Sequence, residues 1–378
     1  MASLACTLAV RVLATAQIRE WKVAYNVNWF RKHRTKLVVS LVVAVVFVWL
    51  LRAGALPFLP EVAALNRFQW WTFAAYIVVW TLVNVLRAWR SKFLLDPIHH
   101  VPLSKLLNTS FVGFAAILIL PVRAGEFVRP ALVREKGKLS GWSVTGTVAA
   151  ERIIDGLLLS VILLIGLSGS TQLDPLPDKI GQLNVSPRMV PSATITALIV
   201  FTLGFAVMGV FYYARDWARS VTQRLLGIFS QPLGVWFADR VERVSSGLKF
   251  LPQWRYTVPF VFWTTVYWLL NAASTLLLAH GCGLSDLSFA QCCVITGFLA
   301  LGIMVPNVPG FFGQFQFSVY AALSLFVEES RLLSEGSVLV FTLYAGQTIV
   351  LLGCAVVGAY LSRTTIRQAL AADATNLE

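Results

Sequence analysis

Charged residues are scarce in this sequence, and no long polar stretch interrupts it. Only 13% of the 378 residues are charged, whereas 57% are hydrophobic. The longest polar stretch covers roughly Ala214–Tyr256, which is short for an independent soluble domain. The length alone would allow two soluble domains, but the composition excludes a chain built mainly from them.

Residues that hold metals or nucleotides are also few. The sequence has four His and five Cys, and His99–His100 has no nearby residues that would complete a ligand set. A phosphate-binding loop of the form G-x-x-x-x-G-K-[ST] is missing, so we expect no ATP hydrolysis. We therefore predict no metal, no cofactor and no catalytic residue.

Long apolar runs are what the sequence does have. Six of them approach or exceed the ~20 residues that a spanning helix needs. They are Leu37–Leu59, Trp70–Leu86, Ser143–Leu167, Val190–Tyr213, Thr257–Ala279 and Gly336–Tyr360. This pattern predicts an all-α, multi-pass membrane protein.

The basic residues lie in the loops between these runs and predict the topology. The net charge is +13, but it is divided among loops rather than gathered in one patch, so we expect no nucleic-acid binding. Before Leu37 there are seven Lys or Arg and one acidic residue. Because cytoplasmic loops carry the excess of Lys and Arg, we expect both termini in the cytoplasm.

Two further apolar segments break the alternation of loop charge. Each is flanked by loops that the charges place on the same side, so we predict re-entrant hairpins at residues 106–135 and 287–326. "GFAAILILPVRAGEF" and "GFLALGIMVPNVPGFF" begin at equivalent places in the two segments. The predicted tips contain residues that break helices or carry amides: Pro121, Gly125, Pro306, Asn307, Pro309, Gly310, Gly313, Gln314 and Gln316.

The order span–span–hairpin–span then occurs twice, in opposite orientation. The predicted segments are a basic N-terminus (1–36), repeat A (37–167), an external loop (168–189), repeat B (190–361) and a tail (362–378). Repeat B includes an amphipathic cytoplasmic segment at 214–256. Inverted repeats with broken helices are typical of alternating-access transporters. The alternative is a bundle of eight full spans in place of six spans and two hairpins.

Several charges lie inside or beside apolar runs, where ions are costly. "ERIIDG" places Glu151 and Asp155 one turn apart, with Arg152 three residues before Asp155. Each ion near the centre of a span costs ~2.5–3.5 kcal/mol, so these must be paired or face water. The partners we expect are on the first hairpin and at the preceding span: Arg123, Glu126, Arg129, Arg134, Arg87 and Arg90.

This set has six basic and three acidic residues. An ion network with a purely structural role is best near neutrality, so the excess predicts an anion, and Arg side chains suit a phosphate. The alternative is that the ions only fix the hairpin to its neighbour, while Arg87, Arg90 and Arg134 reach the lipid headgroups.

The first hairpin and the following helix resemble a known family. "LPVRAGEFVRP" and "ERIID" are similar to the motifs of the lysylphosphatidylglycerol synthase transmembrane family, the flippase-like proteins. "LRAWRSKFLL" and "PNVPGFFG" are similar to two further elements of that family. The match departs from the family pattern at Phe311, where Gly is usual, and at Gln316, where Glu is often found. The second departure removes a titratable group from this hairpin.

The resemblance implies movement of lipids with large or charged headgroups between leaflets. In well-understood relatives the lipid is aminoacylated and a soluble synthase domain follows; these residues contain none, so we expect no aminoacyl transfer. We predict a flippase or scramblase of the inner membrane for a phosphorylated lipid, anionic or zwitterionic, glycosylated or polyprenyl-linked. The alternatives are a membrane transferase and a scaffold for a lipid-modifying synthase or glycosyltransferase. A homo-oligomer is a further option.

Overall fold

The described part of the chain is helical. The computed structural model describes residues 42, 45–53, 55–120, 125–134, 138–214, 220, 243–304 and 309–362, and these ranges contain no β-strand. The helices used below are α1 (residues 45–53), α2 (Val62–Asn66), α3 (Trp70–Trp89), α4 (Lys92–Leu95), α5 (Leu103–Ile119), α6 (Val128–Val133), α7 (Gly141–Ser168), α8 (Met189–Tyr213), α9 (Trp254–Gly281), α10 (Phe289–Gly302), α11 (Gln314–Leu323), α12 (Glu329–Leu333) and α13 (Glu335–Ser362).

Four segments are long and apolar enough to cross a membrane. They are Trp70–Leu95, Met189–Tyr213, Trp254–Gly281 and Glu329–Gly358. Each coincides with a predicted run, so the prediction of an all-α membrane protein is confirmed. Helix α7 also has the length of a span, but it carries three ionisable residues, Glu151, Arg152 and Asp155. The predicted run Leu37–Leu59 lies partly outside the described residues, and α1 ends at residue 53.

Serine side chains cap the N-termini of two long helices. The side chain of Ser140 accepts hydrogen bonds from the backbone N–H groups of Trp142 and Ser143 at the start of α7. At the start of α10, Ser288 and Gln291 form a reciprocal capping box. Each cap satisfies backbone donors that the first helical turn leaves unpaired, which sets where the two helices begin.

The chain after α5 folds back along it. A Cβ on Gly125 would lie 2.2 Å from the backbone of Ala116 and Ile117, and one on Gly113 would lie 3.1 Å from the Cβ of Arg129. Residue numbers therefore rise along one arm as they fall along the other, as in a hairpin. Helices α10 and α11 form a second hairpin, in which the side chain of Gln314 donates to the carbonyl of Gly302 at 2.5 Å.

The two halves of the chain exchange their packing partners. Helix α5 of the first half lies along α13 of the second, and α10 of the second half lies along α7 of the first. Helices α3 and α9 pack directly on each other, and Trp80 donates a hydrogen bond to Asn271 between them at 3.3 Å. The hairpins are thereby held by the opposite half of the molecule.

The loop between α7 and α8 is tied to the second hairpin. The backbone N–H of Leu173 donates to the carbonyl of Leu325 at 2.9 Å. Gln291 donates from its side chain to the carbonyl of Thr171 at 3.0 Å. These contacts hold the loop over the end of the bundle where α10 begins.

Gly125 is expected to be intolerant of any side chain. Because a Cβ there would meet backbone atoms, Gly125→Ala should destabilise the protein by about 1–3 kcal/mol or more. A Cβ on Gly209, within α8, would meet nothing within 4 Å. Gly209→Ala should therefore be neutral or slightly stabilising. Thermal unfolding of both variants in detergent tests this, and equal melting temperatures would contradict the close approach of the two arms.

Candidate functional site

A cluster of charged side chains lies where α3, α6, α7 and α9 meet. We call it the charge cluster; its described members are Arg87, Arg90, Glu126, Arg129, Glu151, Arg152 and Asp155. Two arginines come from the end of α3, two members from the return arm of the first hairpin, and three from α7. Helix α9 adds uncharged partners.

Arg90 is the most enclosed member of the charge cluster. It is fully buried and donates to both carboxylate oxygens of Asp155, at 2.6 and 2.7 Å. It also donates to the hydroxyl of Thr264 on α9, and its guanidinium lies 4.6 Å from the ring centre of Tyr267. The alternative that Arg90 extends to the lipid headgroups is therefore wrong.

Glu151 accepts hydrogen bonds from three arginines. Arg129 donates to one carboxylate oxygen at 2.7 Å, and Arg152 and Arg90 donate to the other at 2.9 and 3.3 Å. The Glu151 side chain has no solvent exposure. These bonds join the hairpin arm, α7 and the end of α3 through one carboxylate.

Arg152 and Glu126 form the open side of the charge cluster. Their side chains are 21% and 19% exposed, and the Nε of Arg152 lies 3.8 Å from the Glu126 carboxylate. Arg152 also reaches Asp155 at 3.8 Å, which is the contact expected from their three-residue spacing. Arg87 is likewise only partly buried, so access to the buried members would come past these three side chains.

Arg87 differs from the other arginines. Its guanidinium lies over the ring of Phe114 on α5, 4.3 Å from the ring centre. Among the described residues it has no carboxylate within ion-pair distance, and its buried Nε has no hydrogen-bond acceptor. Arg87 thus carries a positive charge that the carboxylates of the cluster do not contact.

Donors exceed acceptors in the charge cluster as a whole. Four arginines face three carboxylates, and the Nε groups of all four are buried without an acceptor in the described part of the chain. Each unsatisfied buried donor costs about 1–3 kcal/mol. A further acceptor with several oxygens, such as a phosphate, would suit this arrangement.

A small cavity borders the charge cluster. It is lined by Gly113, Phe114, Ile117, Gly125, Glu126, Arg129, Val148 and Arg152, and its volume is about 10 Å³. That is about the space of one water molecule. A headgroup would therefore enter only after the hairpin arm or the side chains move.

Some predicted site residues lie elsewhere. Arg134 is exposed at the end of α6. Four predicted residues lie outside the described residues: Pro121, Arg123, Pro306 and Asn307. The same holds for most of the amphipathic segment 214–256, for the N-terminal residues 1–36 and for the tail from 363 onward. Pro309 lies in a short 3-10 turn with Gly310.

The described part of the second hairpin tip uses its amides to hold its own backbone. Gln316 accepts a hydrogen bond from the N–H of Gly313 at 2.7 Å, and Gln314 donates to the carbonyl of Gly302. Gly310 and Gly313 have φ angles of 76° and 83°, which glycine adopts without strain. In this conformation the two amides thus bind backbone groups of their own hairpin.

The chain was compared with protein-family models, curated proteins and solved structures. A family model described as the lysylphosphatidylglycerol synthase TM region matches residues 37–353. The chain belongs to this family. No curated protein and no solved structure gave a significant match. The match to the lysylphosphatidylglycerol synthase TM region includes both hairpins and every member of the charge cluster.

Sequence reasoning missed the part of the site that comes from α9. Thr264 and Tyr267 are three residues apart and contact Arg90 on one face of that helix. The available signal was a hydroxyl group inside an apolar run. Such hydroxyls often bond to a carbonyl of their own helix, and Thr264 makes that bond as well as the one to Arg90. Within the described ranges, no group of three or more His, Cys, Asp or Glu side chains is placed to hold a metal ion.

Arg90 is expected to be essential for the fold of this family member. Arg90→Gln would leave Asp155 buried without its two-point partner, which should cost about 3–5 kcal/mol of stability. Arg188→Gln, the same substitution at an exposed position before α8, should have little effect. The melting temperatures of the purified proteins measure the difference, and a stable Arg90→Gln variant would show that Asp155 finds another partner.

Proposed function

We propose that this protein moves a phosphorylated lipid headgroup between the leaflets of the cytoplasmic membrane. The lipid phosphate would bind at the charge cluster, and the acyl chains would stay in the bilayer. The family description supports a role connected with membrane lipids. With no phosphate-binding loop for ATP in the sequence, transport would be passive or driven by a gradient.

The excess of guanidinium donors is the observation that carries this proposal. Asp155 and Glu151 pair with Arg90, Arg129 and Arg152, and Glu126 lies near Arg152, which leaves Arg87 as the uncompensated cation of the described cluster. A purely structural network would be more stable without it. A phosphate contributes the negative charge and the acceptor oxygens that the cluster lacks.

The aromatic ring beside Arg87 supports a binding role for it. Phe114 covers one face of the guanidinium and does not block its in-plane N–H groups. Because arginine donates through its edges in a planar fork, this orientation suits an oxyanion better than a second aromatic group. We assign Arg87 as the main phosphate contact among the described residues.

The exchange of packing partners supports an inverted repeat. If α3, α5 and α7 correspond to α9, α10 and α13, a two-fold rotation converts the α5–α13 contact into the α10–α7 contact. It also places α3 against α9 on the axis, where Trp80 bonds to Asn271. Both pairings are present, and inverted repeats are one architecture of alternating-access transporters.

Helix lengths support the re-entrant hairpins. Helix α5 has 17 residues and α10 has 14, which give about 25 and 21 Å along their axes. Both are shorter than the ~30 Å hydrocarbon core. We propose that each enters and leaves on one side, with both termini in the cytoplasm. The headgroup would then cross the short distance between the two tips.

Co-purified lipids test the binding site. We expect mass spectrometry of the purified protein to find one phosphorylated lipid class enriched over the bulk membrane. Arg87→Gln should lose that enrichment by about tenfold, which corresponds to ~1.4 kcal/mol. Arg188→Gln, an exposed charge removed in the same way, should keep it.

Two results would contradict the proposal. The first is no enrichment of any phosphorylated lipid by the folded wild-type protein. The second is equal enrichment by Arg87→Gln, provided that size-exclusion profiles show all variants folded alike. Either result would favour the scaffold or the transferase.

A further inference from the structure

One buried carboxylate, Glu151, is bonded in the way a bound phosphate would be. Its two oxygens accept from Arg129, Arg152 and Arg90 at 2.7, 2.9 and 3.3 Å. Guanidinium groups recognise carboxylates and phosphates with the same planar pairs of donors. The donors around Glu151 are therefore suited to the same class of anion that the proposed function requires.

The three carboxylates of the charge cluster are held in different ways. Arg90 donates hydrogen bonds to both carboxylate oxygens of Asp155, and this two-point geometry fixes both side chains. Glu126 approaches Arg152 only at 3.8 Å, which is beyond hydrogen-bond distance. Glu151 joins arginines from both the hairpin arm and α7. Moving it would therefore release donors on both elements.

The space beside these arginines is closed in the present conformation. The cavity next to Arg129 and Arg152 has a volume of about 10 Å³, too small for a phosphate group. Glu151 and a phosphate thus cannot both bond to these two arginines without movement of the hairpin arm. In the closed conformation their occupancy would be mutually exclusive.

We infer that Glu151 is an internal anion that occupies Arg129 and Arg152 until a lipid phosphate displaces it. This inference rests on the proposed function and adds how the site is kept closed without substrate. Arg90, fixed by Asp155, remains as a partner for the displaced Glu151, so no buried charge is left alone. Because Arg129 lies on α6, the exchange of partners would release the hairpin arm from α7.

Removing the internal anion should strengthen phosphate binding. We would measure the thermal shift of the full-length protein in detergent against dihexanoyl-phosphatidylglycerol and, separately, inorganic phosphate. If the displaced form of Glu151 is about one tenth populated, Glu151→Gln should lower the apparent Kd by about tenfold. A larger effect with the short-chain lipid than with phosphate would identify a lipid headgroup as the ligand.

Glu126→Gln is the matched control, since it removes the same charge from the same cluster. If Glu151 competes directly, Glu126→Gln should tighten binding by less than about threefold, the part due to net charge alone. Equal tightening by the two variants, or weaker binding by Glu151→Gln, would overturn the inference. The proposed function would stand if the wild type still bound the probes and Arg87→Gln did not.

Glu151→Asp covers the case in which Glu151→Gln does not fold. The shorter side chain keeps the charge but holds Arg129 and Arg152 less well, so we expect tightening of severalfold. Binding equal to or weaker than that of the wild type would overturn the inference. If the folded wild type binds neither probe, both the inference and the proposed function fail.

Discussion

The two-point ion pair between Arg90 and Asp155 positions the rest of the site. It joins the end of α3 to α7, and the bond from Arg90 to Thr264 extends it to α9. Full burial makes the pair costly to form but far more costly to break, because either partner alone would be an unpaired ion. In the exchange that we infer, this pair stays in place while Arg129 and Arg152 change partners.

The charge cluster combines a fixed part with a part that suits exchange. Arg90 and Asp155 form a two-point pair, whereas Glu151 shares two oxygens among three arginines, and Arg87 contacts the Phe114 ring and no carboxylate among the described residues. In a membrane interior, where unpaired ions are expensive, such an imbalance is difficult to explain as support for the fold. It is what a binding site for a polyvalent anion requires.

Membrane segments and all seven described cluster members could be predicted from the sequence, since long apolar runs and charges within them are local signals. The spacing of Arg152 and Asp155 even predicted their contact. Contacts between helices that are distant in sequence give no local signal of this kind. The bond from Arg90 to Thr264, for example, joins residues 174 positions apart. The burial of Arg90 and the hydrogen bond from the Gly313 N–H to Gln316 also depend on this packing. The sequence alone was therefore equally consistent with an Arg90 that faces the lipid headgroups.

Headgroup translocation in reconstituted vesicles tests the central claim most directly. Vesicles would contain phosphatidylglycerol labelled with a fluorophore on its headgroup, and a membrane-impermeant quencher would report the fraction that reaches the outer leaflet. Wild-type protein should raise the translocation rate well above that of empty vesicles, and Arg87→Gln should return it to that background. Equal rates for the two proteins, or a wild-type rate at background across anionic, zwitterionic and glycosylated phospholipids, would contradict the account.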